Sequence, residues 1–537
     1  MEQSKKTAHD DGPDEKQDNG QYPPRKVVLP AMAAIWLAFF LVALDRTIIG
    51  TAIPTISADF NSFGDIAWYE AGFLLPLCVL QLSFGLVYKY YSTKWVLISL
   101  VAIFEVGSLV CALAPNSNAL IIGRVITGTG GAGISAGAFL LITYLVPLAS
   151  RPKYIGALGS VFGITSAIGP ILGGYLTSIT WRWCFWINLP VGVVSLVLLV
   201  LLTPKTPPTE QRADTWLGKV KQLDPLGFIL IAPAVICLLF ALEWGDVRYP
   251  WADGRIIALF VVFGVCTLSF VGSQVWRKEK ATVPPRVALN PSIISACFAY
   301  VGTGSVLVIF AFYLPIWFQV IQGKSSQDSG VSLLPFLLGI VFAVIGSGIL
   351  TSVIGYYTVL MIIGSALLIV GSALITLWTP DTKTGTWIGY QIVVGVGIGL
   401  GLQGPNVAAQ TVMSKNDMAI ALSLLNFINF LASTVFITVS QTLLEAQLVR
   451  KLSAIIPNLD AASLANGGAT SLRGMVSEDM VPVVLDKYNE SMRSIWYLAL
   501  GLACLGFVAS CAMPWKSVKA KKDDNEESRK STTMEGN

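Results

Sequence analysis

The chain has 537 residues, of which 54% are hydrophobic and only 13% charged, against about 25% charged in an ordinary soluble domain. A single soluble core stops growing near roughly 300 residues, so this much apolar surface calls for lipid as its solvent. The net charge of +4 is mild, and without a basic block interleaved with aromatics nothing points to a nucleic-acid partner.

The first 29 residues are polar and read as a disordered tail with no cleaved signal peptide. Span 1 therefore has to serve as the insertion signal. A spanning helix needs about 20 apolar residues. Such runs lie near 30–52, 66–88, 95–114, 119–141, 154–179, 187–203, 226–243, 255–275, 293–317, 331–351, 356–378, 387–412, 418–443 and 494–514. Together they predict an all-α membrane protein of about fourteen helices. An even count puts both termini on one side. With that side inside, 24 of the 36 Lys and Arg fall on inner segments and 10 on outer ones, with Arg46 and Arg124 within spans. The positive-inside rule then predicts cytoplasmic termini.

The eight cysteines (Cys78, Cys111, Cys184, Cys237, Cys266, Cys297, Cys504 and Cys511) lie mostly in apolar runs without a CxxC pair, and read as small buried hydrophobes. Cytoplasmic loop 204–225 carries a stretch from Trp216 to Leu223 that fits a surface-lying segment as well as a plain linker. A long outer loop is expected over 445–493, with the only N-x-S/T sequon at Asn489 as a candidate glycosylation site. Residues 516–537 read as a second disordered tail.

Three segments carry chemistry. In span 1, Leu44-Asp45-Arg46-Thr47-Ile48-Ile49-Gly50 places a carboxylate and an arginine inside the membrane, each costing about 3 kcal/mol at the bilayer centre. That cost suggests a proton or cation site; an ion pair that merely fixes packing is the plainer reading. In span 4, Gly123-Arg124-Val125-Ile126-Thr127-Gly128 precedes a glycine run. Gly128, Ala132 and Ala136 recur every four residues and form a flat face for close helix contact. In span 5, Gly169-Pro170-Ile171-Leu172-Gly173-Gly174 sets a proline within a helix, which removes a backbone bond and kinks it.

In this order, on spans 1, 4 and 5, these segments resemble the major facilitator superfamily, in its fourteen-span drug:proton antiporter branch and the form found in fungal toxin efflux pumps. Trp181-Arg182-Trp183-Cys184-Phe185-Trp186-Ile187-Asn188-Leu189-Pro190 is similar to that branch, as are Phe312-Tyr313-Leu314-Pro315 through Gln319, Ser329-Gly330-Val331 and Leu334-Pro335. The resemblance covers roughly residues 30–515. One loop departs from it: after span 2, Lys89 stands where the superfamily carries an acid and Thr93 where it carries a base, while Gly85 and Lys94 remain.

The resemblance implies two six-helix bundles, residues 30–204 and 293–515, with linkers and an inserted pair of spans 7 and 8 over 205–292, and cargo bound near the midplane. It implies efflux of small, mostly apolar organic molecules (a toxin, secondary metabolite or drug) in exchange for protons. Uptake of a small molecule or metal chelate on the same fold is the alternative. The Gly169-to-Gly174 segment, similar to the antiporter motif, argues for export. No HExxH, histidine pair or G-x-x-x-x-G-K-[ST] occurs, so neither an enzyme nor a nucleotide-driven pump is expected, and no cofactor or metal. The expected partners are a small-molecule substrate, protons and membrane lipid, with no obligate protein partner. Plasma membrane is the default location and a vacuolar membrane the other.

The only histidine, His9, is in the tail, so carboxylates have to carry any proton. At 1.5 Å per residue Asp45 lies roughly 22 Å from the inner end of span 1, and Arg124 about 8 Å from the outer end of span 4; the resemblance implies that spans 1 and 4 both line the cavity, so the two can meet. Asp45 with Arg124 is the first candidate for proton coupling. Glu105 ranks second, because the resemblance implies a peripheral span 3. Glu70 enters span 2 near the outer face, and Glu243 reads as interfacial. For substrate binding, Gln403, Asn406 and Gln410 share a face of span 12, Asn426 and Asn429 a face of span 13, and Tyr313, Trp317 and Gln319 end span 9. Each fits interhelical hydrogen bonding about as well. Gly169, Pro170, Gly173 and Gly174 are the candidate conformational motif.

Overall fold

The computed structural model describes residues 22–62, 65–245, 249–452 and 480–519. Fourteen helices in it are long and apolar enough to cross a membrane: Lys26–Asp59, Trp68–Tyr90, Thr93–Ala112, Ser117–Leu145, Leu148–Ile179, Trp183–Leu202, Pro225–Trp244, Gly254–Lys280, Pro291–Val320, Gln327–Ile354, Tyr357–Ile375, Thr384–Val412, Lys415–Leu452 and Val481–Cys511, spans 1 to 14 in chain order. Lipid offers the backbone no hydrogen-bond partner, so a spanning segment must satisfy its own amides as a helix. The chain assists at several entries. Asn116 caps span 4 through the Ala119 amide, Asp224 caps span 7 through Gly227, and Asn290 caps span 9 through Ser292.

Spans 1 to 6 pack chiefly on one another, through 1 against 5 and 6, 2 against 4, and 3 against 4 and 6. Spans 9 to 14 do likewise, through 9 against 13 and 14, 10 against 12, and 11 against 12 and 14. Span 4 is the most enclosed, with 83% of its most apolar window buried, and span 8 the least, with 17%. Span 4 therefore belongs to the protein core, and span 8 shows most of its surface to the surroundings. Span 7 packs on spans 2 and 13, setting Ile231, Val235 and Leu239 against Cys78, Leu82 and Phe427. A buried clasp closes the inserted pair. The Asp224 carboxylate accepts from the Thr282 amide (2.9 Å) and hydroxyl (2.8 Å) and pairs with Arg277 at 3.2 Å.

The spans alternate, so one side of the bundle carries both terminal ends. On this terminal side the halves meet. Span 5 packs on span 10 and span 2 on span 13. A methyl at Gly156 would stand 2.7 Å from the Val344 carbonyl, and one at Gly85 3.0 Å from Ser423 Cβ. The Gln410 amide donates to the Phe139 carbonyl across the same seam at 3.1 Å.

Several expectations change. Helices 13 and 14, at 38 and 31 residues, are longer than a bilayer requires and reach to Leu452 and start from Val481, so both ends of the outer loop expected over 445–493 are helix. The segment 453–479 lies outside the described residues, as do 1–21 and 520–537 of the two expected tails. Residues 26–29 are already helix. After span 14 the chain docks, with the Val518 amide bonded to the Gly355 carbonyl at 2.8 Å. Of the cysteines, Cys78, Cys111 and Cys184 are buried, whereas Cys504 and Cys511 are exposed on the bundle surface. Trp216–Gln222 is a short helix with Trp216 and Leu217 exposed.

The atypical loop after span 2 is matched by the linker after span 6. Lys89 is buried and pairs with Glu210 at 3.1 Å, and its carbonyl accepts from the Thr209 and Glu210 amides. Lys94 donates to the Val200 and Thr203 carbonyls. The acid that the loop lacks is supplied from the linker.

Candidate functional site

The helical phase of span 1 decides which residues meet. Successive residues turn by about 100°, so Asp45 and Arg46 face different neighbours. Asp45 points to spans 4 and 6, where its Oδ2 forms an ion pair with Arg124 Nη1. Both side chains are sealed, at 0% exposure. The Arg124 Nε donates to the Tyr69 carbonyl at 2.8 Å, and the guanidinium lies 4.6 Å over the Phe73 ring. The Asn188 amide donates to Asp45 Oδ1 at 3.2 Å and to Ser108 Oγ at 3.3 Å. Spans 1, 2, 3, 4 and 6 thus converge on one carboxylate. A polar thread runs from it toward the far side: the Tyr69 hydroxyl donates to Ser117, and Ser117 to Asp65.

Glu105 sits one turn before Ser108 on span 3. It is buried at 8% exposure, and neither carboxylate oxygen has a hydrogen-bond partner. Its carboxyl fills the space left by Gly192 on span 6, where any side chain would collide with it. Span 3 packs on span 6 as well as on span 4, and this is why a residue expected at the periphery is enclosed. Glu70 and Glu243 are exposed. Arg46 is half-buried, with Glu70 and Cys78 of span 2 nearest its charge and no ion pair among the described residues. The adjacent Asp45 and Arg46 therefore do not pair.

The span 5 segment packs on span 1 beside this site. Gly169 lies against Thr47, and Gly173 against Ile48 and Thr51; a methyl at Gly173 would be 2.6 Å from the Ile48 carbonyl. The Thr47 hydroxyl donates to the Thr165 carbonyl at 3.0 Å. Pro170 and Gly174 are exposed, and the helix runs on through Pro170 to Ile179.

In the second half, the helix of span 12 breaks at Gln403, between Thr384–Leu402 and Gly404–Val412. Gln403, Asn406 and Gln410 are all buried. Gln403 packs against Gly159 of span 5 and accepts from Asn406, while Gln410 bonds to span 4. This face looks across the seam between the halves. Asn426 Nδ2 and Asn429 Oδ1 have no partner, and Asn429 packs against Gly304 of span 9. Tyr313 and Trp317 are buried within the second half. The Tyr313 hydroxyl donates to the Ile437 carbonyl, and the Trp317 ring packs at a tilt against Trp378, 4.5 Å between centroids, and donates to Asn489 Oδ1 at 2.8 Å. Gln319 donates to Ser329. These three are not brought onto one surface with Gln403. Asn489 is buried, and its amide also donates to the Trp378 carbonyl, so the folded chain has no room for a glycan there.

The sequence profile described as Major Facilitator Superfamily matches residues 35–437. The chain belongs to the major facilitator superfamily. It is accordingly an integral, multi-pass membrane transporter, not an enzyme. Within the superfamily it is 43% identical over 495 residues to the MFS-type efflux pump MFS1 of Arthroderma benhamiae, covering 91% of this chain and 92% of that one. It is 42% identical over 506 residues to the rubrofusarin-specific efflux pump aurT of Gibberella zeae, covering 94% and 92%. Among solved structures of the same fold, the proton:xylose symporter XylE aligns at TM-score 0.59 and 12% identity, over 92% of this chain and 98% of that one. The human organic anion transporter MFSD10 aligns at TM-score 0.57 and 13% identity, over 90% and 100%.

Of the residues at the carboxylate, Ser108, Tyr69 and Phe73 are not marked by any sequence motif. Asn188 stood only as part of the segment before span 6. Its signal is a polar amide set at the entry of an otherwise apolar span.

Proposed function

We propose that this transporter exports small, mostly apolar organic molecules from the cytoplasm in exchange for protons, with cytoplasmic termini, across the plasma membrane. The observation that carries the coupling is the sealed Asp45–Arg124 pair, held by Asn188 and the Tyr69 carbonyl. Two charges in a membrane interior are expensive, and a well-packed apolar pair would be no less stable. Keeping them therefore favours a functional use. The pair joins spans of the first half that have to move against the second when access alternates. Closure of the halves on the terminal side fits a state that faces outward. The names of the similar fungal proteins support export over uptake. The neutral polar groups of spans 12 and 13 suit an uncharged, partly oxygenated cargo.

The test is transport in sealed vesicles under an imposed pH gradient. Uphill movement of a fluorescent lipophilic dye driven by the gradient, and abolished by a protonophore, is the expected result. Dye movement indifferent to the gradient would remove proton exchange from the proposal.

Two variants probe the remaining elements. Pro170→Ala should fold and insert, because the Gly169 and Gly173 contacts to span 1 are untouched, yet slow efflux several-fold. Normal efflux by the well-expressed variant would take the span 5 segment out of the mechanism. Alanine at Gln403, Asn406 or Gln410 should shift apparent dye affinity unevenly if the face binds cargo when the seam opens. Uniform loss of expression would instead assign the three to packing.

A further inference from the structure

We propose that Asp45 and Glu105 form one coupled acid pair, in which Asp45 is committed to Arg124 and Glu105 is the carboxyl that carries the proton. This rests on the reading that export is proton-coupled, and names the atom that holds the proton.

The two acids are treated very differently by the fold. Every oxygen of Asp45 is occupied, Oδ2 by Arg124 and Oδ1 by Asn188. Glu105 has nothing: both oxygens are buried and without a partner. An ionised carboxylate left unpaired in an apolar setting costs far more than a neutral carboxyl, and such groups are neutralised instead. The charged and titratable groups around Glu105 are few. Asp45 of span 1 is the nearest charge, Arg124 of span 4 is spent on Asp45 and the Tyr69 carbonyl, and Cys111 and Cys184 are buried thiols near Asp45. Among the described residues no cation is paired with Glu105, and its neighbouring charge, Asp45, has its own sign.

The two carboxyls are nevertheless linked. Ser108 lies one turn from Glu105 on the same helix face, and the Asn188 amide bridges Ser108 to Asp45. Gly192, one turn from Asn188 on span 6, gives the Glu105 carboxyl its space. Span 6 therefore supplies the contact to one acid and the cavity for the other. A proton lost from Glu105 leaves two like charges on neighbouring helices. Repulsion of that kind is relieved when a proton returns to the pair. The balance is one proton released from Glu105 and one taken back by it in each cycle.

Infrared spectroscopy of the purified full-length protein in lipid nanodiscs reads protonated carboxyls directly, without any cargo. The wild type should show the carbonyl stretch of a buried protonated carboxyl, shifting on transfer to D2O. Glu105→Gln should lose that band, while Asp45→Asn should keep it. Gly192→Ala should displace the band, because its methyl intrudes on the carboxyl. A band that survives Glu105→Gln, or that vanishes in Asp45→Asn instead, overturns the assignment, as does a band unmoved by Gly192→Ala. Monodisperse Glu105→Gln protein on size-exclusion chromatography separates loss of the band from loss of the fold. If the band behaves as stated but vesicle transport ignores the pH gradient, the proton site stands and the coupled-export reading fails.

Discussion

Asp45→Asn should abolish accumulation of cargo against a gradient while leaving exchange of cargo down its gradient in place. The amide keeps the size of the side chain and its bond to Asn188, and Arg124 keeps the Tyr69 carbonyl and the Phe73 ring, so the variant should fold, at a yield lowered by the unpaired guanidinium. What it lacks is a carboxylate to pair with Arg124 in one state and release it in another. Export from energised cells should fall to background, and counterflow in vesicles should stay within a few-fold of wild type. Uphill export at the wild-type rate would reduce Asp45 to a packing partner and leave Glu105 or Glu70 as the coupling acid. The complementary variant behaves differently. Arg124→Ala strands a buried carboxylate, a loss of about 3–5 kcal/mol when one partner of a buried pair is removed, so yield falls sharply.

Gly156→Leu should stop the cycle for a steric reason alone. Leucine is the better helix former, so the helix itself is not weakened. A methyl at this position already stands 2.7 Å from the Val344 carbonyl and 3.2 Å from Gly348 Cα. Backbone atoms cannot retreat as a flexible side chain can. The halves are thus held apart on the terminal side, and transport falls at least tenfold with expression intact. A reporter cysteine in place of Gln410, in a background free of native cysteines, should label faster in Gly156→Leu, because the seam that Gln410 closes with Phe139 stays open. Unchanged transport and unchanged labelling would show that this contact does not gate access.

Much was legible along the chain. The number of spans, their order and the residues at which membrane charges stand follow from apolar run lengths. A bilayer forces each spanning segment to bond within itself, so local composition and local structure coincide. That Asp45 and Arg124 lie at compatible depths also followed, from rise per residue.

Tertiary structure alone decided who meets whom. Asp45 is bonded to Arg124, 79 positions away, and not to its neighbour Arg46, because one residue along a helix is a different face. Asn188 reaches the same carboxylate from 143 positions away. Glu105 is enclosed because Gly192 happens to lie opposite. The polar face of span 12 looks across the seam between the halves, and Asn489 is buried in a helix rather than displayed on a loop. Each of these depends on helix rotation and on the identity of the neighbouring helix. Within a span any rotation satisfies the backbone equally well, so the choice is made only when the side chains of several helices pack together.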